Sequence, residues 1–358
     1  MKPRALFIYT HLSTFVEGDR KILEEHYNIE SYRFKNSPKV LLLLSLLKEL
    51  LFLLLTLHRY RLVYIWFADY HSWLPTLLGK LYRKEVVLIA GGYDIAREKK
   101  YRYGSFSKRI RALLTLRSLE RASQVWAVSN YLLRGIRAIA PKANSYLLYN
   151  GIEERLFLLK REIEKSSEAD SSNQATAGLS KRERVVLSVA LANSRQSIYI
   201  KGIDRYFAVA TTLPNIKFIL IGSNRELLKS VLGAIPPNIE VIEPIAHSKL
   251  ALYYQNSHIY CQLSRRESFS LSLAEAMWHN AIPVVSAVGG MPEVVGKMGE
   301  IVYLNDHPLL YGTGILKVAQ AIESSIERER ESGCQKRIAQ NFTLSLRKKR
   351  VGQLLNLK

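Results

Sequence analysis

The first 150 residues alternate between two hydrophobic periods. Short apolar, β-rich runs occur at 5–9, 62–67, 86–90 and 125–128. Between them, longer stretches repeat their apolar positions at helical spacing, at 14–27, 40–57, 73–82, 108–122 and 131–140. Short buried strands separated by helices predict a parallel sheet with helices on both faces. The pattern stops at 160–183, which is polar, Ser-rich and almost free of large apolar residues, and so predicts a mobile loop. It then resumes, with strand-like runs at 185–189, 216–221, 239–242, 258–263, 282–285 and 300–303. Helical runs follow at 203–212, 225–234, 248–256, 271–279 and 315–330. The fold class read from this pattern is α/β, two Rossmann-like, doubly wound parallel-sheet domains facing a cleft. The expected bounds are 1–155 for the first domain, 156–183 for the mobile loop and 184–342 for the second domain. A basic C-terminal helix at about 343–358 is expected to return to the first domain. Ligands of such sheets bind beyond the carboxyl ends of the strands.

One helical stretch stands apart. The run VLLLLSLLKELLFLLLTL at 40–57 has 18 residues, near the lower limit for a membrane span. At about 100° per residue, Ser45, Lys48, Glu49 and Thr56 fall on one narrow stripe, joined by Arg59. The expectation is an amphipathic helix whose broad apolar face packs on the sheet. A helix lying in a membrane interface is the second reading, and the mid-helix charges argue against a span. The apolar run at 5–9 is too short for a signal peptide.

Composition sharpens this. The 358 residues fit two domains, and 48% hydrophobic content excludes wholesale disorder. Two cysteines, Cys261 and Cys334, exclude a disulfide scaffold and fit a reducing compartment. The net charge is +21, unevenly spread: residues 1–150 hold 25 Lys and Arg against 11 Asp and Glu. Nine basic residues crowd the stretch from Arg97 to Arg121 beside Glu98 and Glu120. Such an excess points to nucleic acid, acidic lipid headgroups or phosphorylated substrates. No nucleic-acid-binding signature accompanies it, so nucleic acid is not expected. There is no Asp-x-Asp and no His/Cys/carboxylate cluster at metal-ligand spacing, so no metal is expected.

The chemistry concentrates in 265–295, RRESFSLSLAEAMWHNAIPVVSAVGGMPEVV. Glu267 precedes a helix that Ser268 or Ser270 can cap, and Glu275 lies just over a turn inside it. The open N–H groups of that helix start favour an anion. A carboxylate beside a diphosphate suits a vicinal diol, because it accepts two hydrogen bonds. The helix is expected to end at Asn280, which tolerates the left-handed conformation. Gly289 and Gly290 after the next strand allow close backbone approach to a ligand.

These residues resemble a known family. The string from Glu267 through Glu275 to Pro283-Val284-Val285, Gly289-Gly290 and Glu293 is similar to the signature of the GT-B glycosyltransferases, specifically the retaining family 4, or glycosyl transferases group 1. Lys201-Gly202-Ile203-Asp204, Ala127-Val128-Ser129, Tyr149-Asn150-Gly151 and Gly222 resemble other parts of that family in the same order. The resemblance implies a GT-B fold and a nucleoside diphosphate sugar as donor, UDP- or GDP-linked, with no cofactor and no metal. It implies that Lys201 neutralises the diphosphate, that Glu275 binds the ribose and that Glu267 contacts the transferred sugar. The backbone of Phe269, Ser270 and Leu271 would lie near the phosphate, with Gly289 and Gly290 beside the donor.

The chain also departs from the family. Arg195 has the separation of the family's arginine but falls in a longer loop. The segment from His11 to Phe15 replaces a glycine-rich loop, and Gly91-Gly92-Tyr93-Asp94 stands where a histidine is often found. Thr14 and Asp94 are therefore the acceptor-side candidates. The acceptor itself is unknown, with a lipid-linked molecule or a polysaccharide as the expectation. The basic first domain suggests an anionic membrane surface, and so a cytoplasmic protein peripheral on the inner face of the cell membrane. The competing readings are a non-catalytic GT-B relative acting as a partner subunit and a basic nucleic-acid-binding protein.

Overall fold

The computed structural model describes residues 2–35, 39–154, 184–329 and 333–357; the predicted loop at 156–183 lies outside them. The chain divides into two units, Met1–Asn150 with Ser345–Lys358, and Gly151–Leu344.

Unit 1 holds one parallel sheet of β1 (Arg4–Tyr9), β2 (Asn28–Arg33), β3 (Leu62–Trp66), β4 (Glu85–Ala90), β5 (Gln124–Ala127) and β6 (Ser145–Leu147), in the order β2-β1-β3-β4-β5-β6. The central strand β3 is buried along its length, as expected of a strand covered on both faces. The pattern of apolar runs did not announce β2 and β6. β2, NIESYR, is an edge strand with mostly exposed side chains, and β6 has three residues. On one face of the sheet, Arg347 of the helix Leu344–Leu354 makes a bidentate pair with Asp19 of the helix Thr14–Glu24, at 2.6 and 2.7 Å. The Tyr64 hydroxyl of β3 donates to the same carboxylate at 2.6 Å. All three side chains are buried, so the charge of Arg347 is matched inside the unit that its helix joins.

The leucine-rich run forms the helix Lys39–Thr56, but its faces are reversed from the expectation. Glu49 is fully buried, whereas Leu43 is 71% and Leu55 69% exposed. The aromatic ring of Phe52 stacks on Tyr32 of β2 at 4.7 Å, and Leu53 is buried. The helix therefore rests on the sheet along its Glu49 side and turns leucines outward. Among the described residues, neither oxygen of Glu49 has a hydrogen-bond partner, and burial pushes its pKa up to about 9.

Unit 2 holds a second parallel sheet of β7 (Val186–Ala192), β8 (Phe218–Ser223), β9 (Ile239–Ile242), β10 (Ile259–Gln262), β11 (Ile282–Ser286) and β12 (Glu300–Val302), in the order β12-β11-β10-β7-β8-β9. Counted within the unit, this is the Rossmann order, and its direction reverses between β7 and β10. Tyr206 anchors the core, its ring edge-on to Phe218 and its hydroxyl donating to the Val186 and Ile219 carbonyls. The last long helix, Pro308–Ile326, starts earlier than the periodicity suggests, because Gly312 and Gly314 interrupt the pattern. The short helices Arg195–Ile200, Met291–Val295 and Gly333–Asn341 were also not predicted.

Candidate active site

The candidate residues of unit 2 gather where β7 and β10 diverge. β7 leads into the short helix Arg195–Ile200, which Ser194 and Ser197 close with reciprocal side-chain to backbone bonds. Lys201 is the C-cap of this helix, and Gly202 follows at φ 69°. A Cβ on Gly202 would lie 1.9 Å from the Leu263 carbonyl oxygen, so only glycine lets Lys201 come this close to the end of β10.

From the other side, β10 ends at Gln262 and the chain runs on to Glu267. Glu267 Oε2 accepts from Lys201 Nζ at 2.8 Å and from Gln262 Nε2 at 3.0 Å, and its Oε1 accepts from the Ser268 N–H at 3.1 Å. The Gln262 amide is shared, for its Oε1 accepts from Ser270 Oγ at 2.6 Å. Ser270 in turn caps the helix Leu271–Trp278 by accepting from the Leu273 N–H. One line of hydrogen bonds thus runs from Lys201 through Glu267 and Gln262 to the helix N-terminus. Ser270 sits at φ 74°, a left-handed conformation that costs a non-glycine residue energy. The helix stops as expected, with Asn280 left-handed at φ 60°.

Glu275 is buried inside that helix. Its Oε1 lies 2.8 Å from His247 Nε2, and its Oε2 accepts from the Tyr254 hydroxyl at 3.0 Å. The hydrogen bond to Glu275 raises the His247 pKa above the ordinary value, with burial opposing. His247 and Tyr254 both come from the helix His247–Asn256, so one helix orients this carboxylate.

Beside Lys201 and Glu267 lies a partly buried ionic knot. Arg265 donates to both oxygens of Asp204, at 2.7 and 2.8 Å, and to both of Asp306, at 2.8 and 2.6 Å. It also reaches the Tyr199 carbonyl at 2.7 Å, and Arg205 shares Asp306 at 2.8 Å. The two aspartates hold the Arg265 pKa well above its ordinary value against the effect of burial. Asp204 belongs to the Lys-Gly-Ile-Asp segment, so this motif places Lys201 and clamps the strand end that carries Glu267.

The remaining candidates fall differently. Gly289 has φ 63°, and a Cβ there would lie 1.6 Å from the Glu267 carbonyl oxygen. The close approach expected of the glycine pair is thus made to the main chain of Glu267, to which Gly290 N–H also donates at 3.3 Å. Phe269 is buried, its ring edge-on to Phe342, and Leu271 opens the capped helix. Arg195 is exposed and starts a helix, where a loop was expected, and its guanidinium lies over the Tyr199 ring at 5.8 Å.

Thr14 and Asp94 belong to unit 1. Thr14 is the exposed first residue of the helix after β1. Asp94 is buried and accepts from the backbone N–H groups of Gly91, Gly92 and Ala68 at 2.9, 2.5 and 3.3 Å. Burial pushes its pKa up to about 6 although these bonds oppose the rise. In this position Asp94 staples the turn after β4 to the end of β3. Beside it, Arg111 is held by a bidentate pair with Asp69 and by the Tyr93 hydroxyl at 2.8 Å.

Sequence reading missed Gln262, Arg265, His247 and Tyr254. The signal for Arg265 was its adjacency to the Glu267 segment. For His247 and Tyr254, spaced seven residues apart, the signal was one shared helix face.

Residues 173–323 match the family described as glycosyl transferases group 1. The chain is 26% identical over 223 residues to N-acetyl-alpha-D-glucosaminyl L-malate synthase of Bacillus anthracis, a match covering 60% of this chain and 55%, about half, of that relative. In structure it is similar to sucrose-phosphate synthase of Thermosynechococcus elongatus, with TM-score 0.73 and 16% identity over 99% of this chain and 98% of that one. It is also similar to Anabaena HepE in complex with UDP-glucose, with TM-score 0.68 and 17% identity over 99% of each chain. The fold is that of the GT-B glycosyltransferases. The matched stretch lies mostly in the second unit and contains Lys201, Glu267 and Glu275.

Proposed function

We propose that this protein is a glycosyltransferase that moves a sugar from a nucleoside diphosphate sugar to an acceptor, with retention at the anomeric carbon and without a metal ion. The observation that carries the reading is the Lys201–Glu267 pair, held at the switch point of the second sheet and wired through Gln262 to the capped helix Leu271–Trp278. The complexes of HepE with UDP-glucose and with UDP support a uridine diphosphate donor.

In this reading the diphosphate lies at the N-terminus of that helix, where backbone N–H groups and the helix dipole favour negative charge. Lys201 Nζ supplies the positive charge. As the glycosidic bond breaks, the leaving diphosphate becomes more negative, and a fixed cation with fixed N–H donors stabilises that state more than the ground state. Glu267 orients Lys201 and faces the transferred sugar. Glu275, aimed by His247 and Tyr254, accepts hydrogen bonds from the ribose hydroxyls. The acceptor attacks from the side the leaving group departs, and its proton passes to a donor phosphate oxygen, so no protein base is needed. Acceptor recognition falls to unit 1, with a lipid-linked or polysaccharide acceptor.

The test is the rate of sugar transfer, or of donor hydrolysis, for wild type, Lys201→Ala and Glu275→Ala across a panel of UDP- and GDP-sugars. Loss of roughly 10²–10³ in turnover for Lys201→Ala is expected from removing one preorganised charge donor. Full turnover and full donor affinity in both variants would overturn the assignment.

A further inference from the structure

The helix Lys39–Thr56 buries its carboxylate and exposes its leucines, the reverse of a helix stabilised in water. Leu43, Leu44, Leu47, Leu51, Leu54 and Leu55 are all about half exposed or more. At about 100° per residue these six positions occupy one continuous arc opposite Glu49. A contiguous apolar face of this size is rare on a monomer and marks a surface that something covers.

Charge identifies what covers it. From residue 39 to residue 121, among the described residues, every exposed Lys, Arg, Asp or Glu is basic. The acidic residues of this stretch are turned inward or partly covered, Glu49, Asp69 and Asp94 being buried. The helix packs beside Tyr70–Leu81, and that helix beside Arg109–Arg121. With β3, β4 and β5 following in order across the sheet, right-handed crossovers place these helices on one face. The same layer exposes Leu81, Ile110 and Leu113 among Lys80, Arg83, Lys108, Arg109 and Arg117. Apolar side chains interleaved with cations of one sign complement the acyl edge and the headgroups of an anionic bilayer.

A span is ruled out by the topology. The strands on either side of this helix, β2 and β3, both hydrogen-bond to β1 in the same sheet. The helix can cross a bilayer only if that sheet comes apart. It is fixed to lie along a surface, and its 18 residues present a face about 27 Å long.

We propose that the outward leucines of the helix Lys39–Thr56, with the basic side chains of the neighbouring helices, form an in-plane docking surface for an anionic lipid bilayer. This rests on unit 1 alone and needs neither donor nor acceptor, so it stands or falls apart from the transferase reading.

The experiment is co-sedimentation of the full chain with phosphatidylcholine vesicles, with and without phosphatidylglycerol. Wild type is expected to bind the anionic vesicles, and to bind more weakly as salt rises. The triple variant Leu43→Gln, Leu47→Gln, Leu51→Gln is expected to lower binding at least tenfold. Leu309→Gln, a still more exposed leucine of unit 2, is expected to leave binding unchanged. Circular dichroism verifies folding, and if the triple variant fails to fold, Leu43→Gln and Leu55→Gln are measured singly. Equal binding by wild type and the leucine variants overturns the proposal, as does no binding by wild type. A wild-type dimer that the leucine variants dissociate, without any effect of lipid, also overturns it and assigns the face to a second copy of the chain.

Discussion

Arg265 and Asp204 form a two-pronged ion pair, two hydrogen bonds at 2.7 and 2.8 Å, directly beneath the segment that carries Glu267. Both side chains are largely shielded from water. Replacing Asp204 with Ala removes two of the hydrogen bonds that hold the buried Arg265 guanidinium. Removing one partner of a buried pair costs about 3 kcal/mol. Urea unfolding of Asp204→Ala should show a loss of that order, with turnover falling further than stability alone explains. Unchanged stability would mean that the pair does not hold the strand end.

Gly289 lies against the main chain of Glu267, and a methyl group there would sit 1.6 Å from its carbonyl oxygen at a φ of 63°. Gly289→Ala should cost about 1–3 kcal/mol of stability. It should also weaken donor binding, because the backbone that must move is that of Glu267. Gly312→Ala, whose added Cβ meets nothing within 4 Å among the described residues, is the control: inside the helix Pro308–Ile326 it should raise stability by up to about 1 kcal/mol and leave donor binding unchanged.

His247 and Glu275 give a pH dependence with a defined sign. The folded-state pKa of His247 is raised by its hydrogen bond to Glu275. The stabilisation is therefore fully present below the unfolded histidine value of about 6.5. It is lost as pH rises through the raised folded value. Stability of wild type relative to His247→Ala should fall across that window. A difference that stays flat with pH contradicts the pairing.

Glu49 acts in the opposite chemical sense but with the same direction. Its pKa moves from the ordinary 4.5 to about 9, so the folded chain keeps a proton that the unfolded chain releases. Between those two values, stability should fall as pH rises, by at most about 1.4 kcal/mol per pH unit. Glu49→Gln should remove that slope, and thermal unfolding from acid to alkaline pH would show it. An identical slope in the variant would mean that Glu49 is ionised in the folded chain.

The local arrangement around Glu267 and Glu275 was legible because its parts lie close in sequence. Glu267, Ser270, Glu275 and Asn280 lie within one strand-turn-helix, and their spacing alone sets which ones cap, face inward or turn left-handed. The partners that arrive from other elements were not legible. Asp204 and Asp306 are 61 and 41 residues from Arg265, and nothing in the Arg-Arg dipeptide says which arginine turns inward. The same limit reversed the helix Lys39–Thr56. A helical wheel separates its leucines from Ser45, Lys48 and Glu49, but only the sheet decides which side it covers. Here the sheet covers the side holding Leu53 and Glu49. β2 escaped notice for a related reason, since an edge strand with polar, exposed positions lacks the apolar run that reveals a central one.

Lys201 and Glu275 are proposed to hold a nucleoside diphosphate sugar. Thermal unfolding of wild type, Lys201→Ala and Glu275→Ala, each with UDP-glucose, UDP, GDP-mannose and GDP, tests it most directly. A ligand at about 100 times its Kd stabilises the folded state by about 2.7 kcal/mol. A clear rise in the wild-type midpoint is expected with one nucleotide series, and its loss in both variants although each still unfolds cooperatively. A wild type that no nucleotide stabilises, or variants stabilised as strongly as wild type, would contradict it.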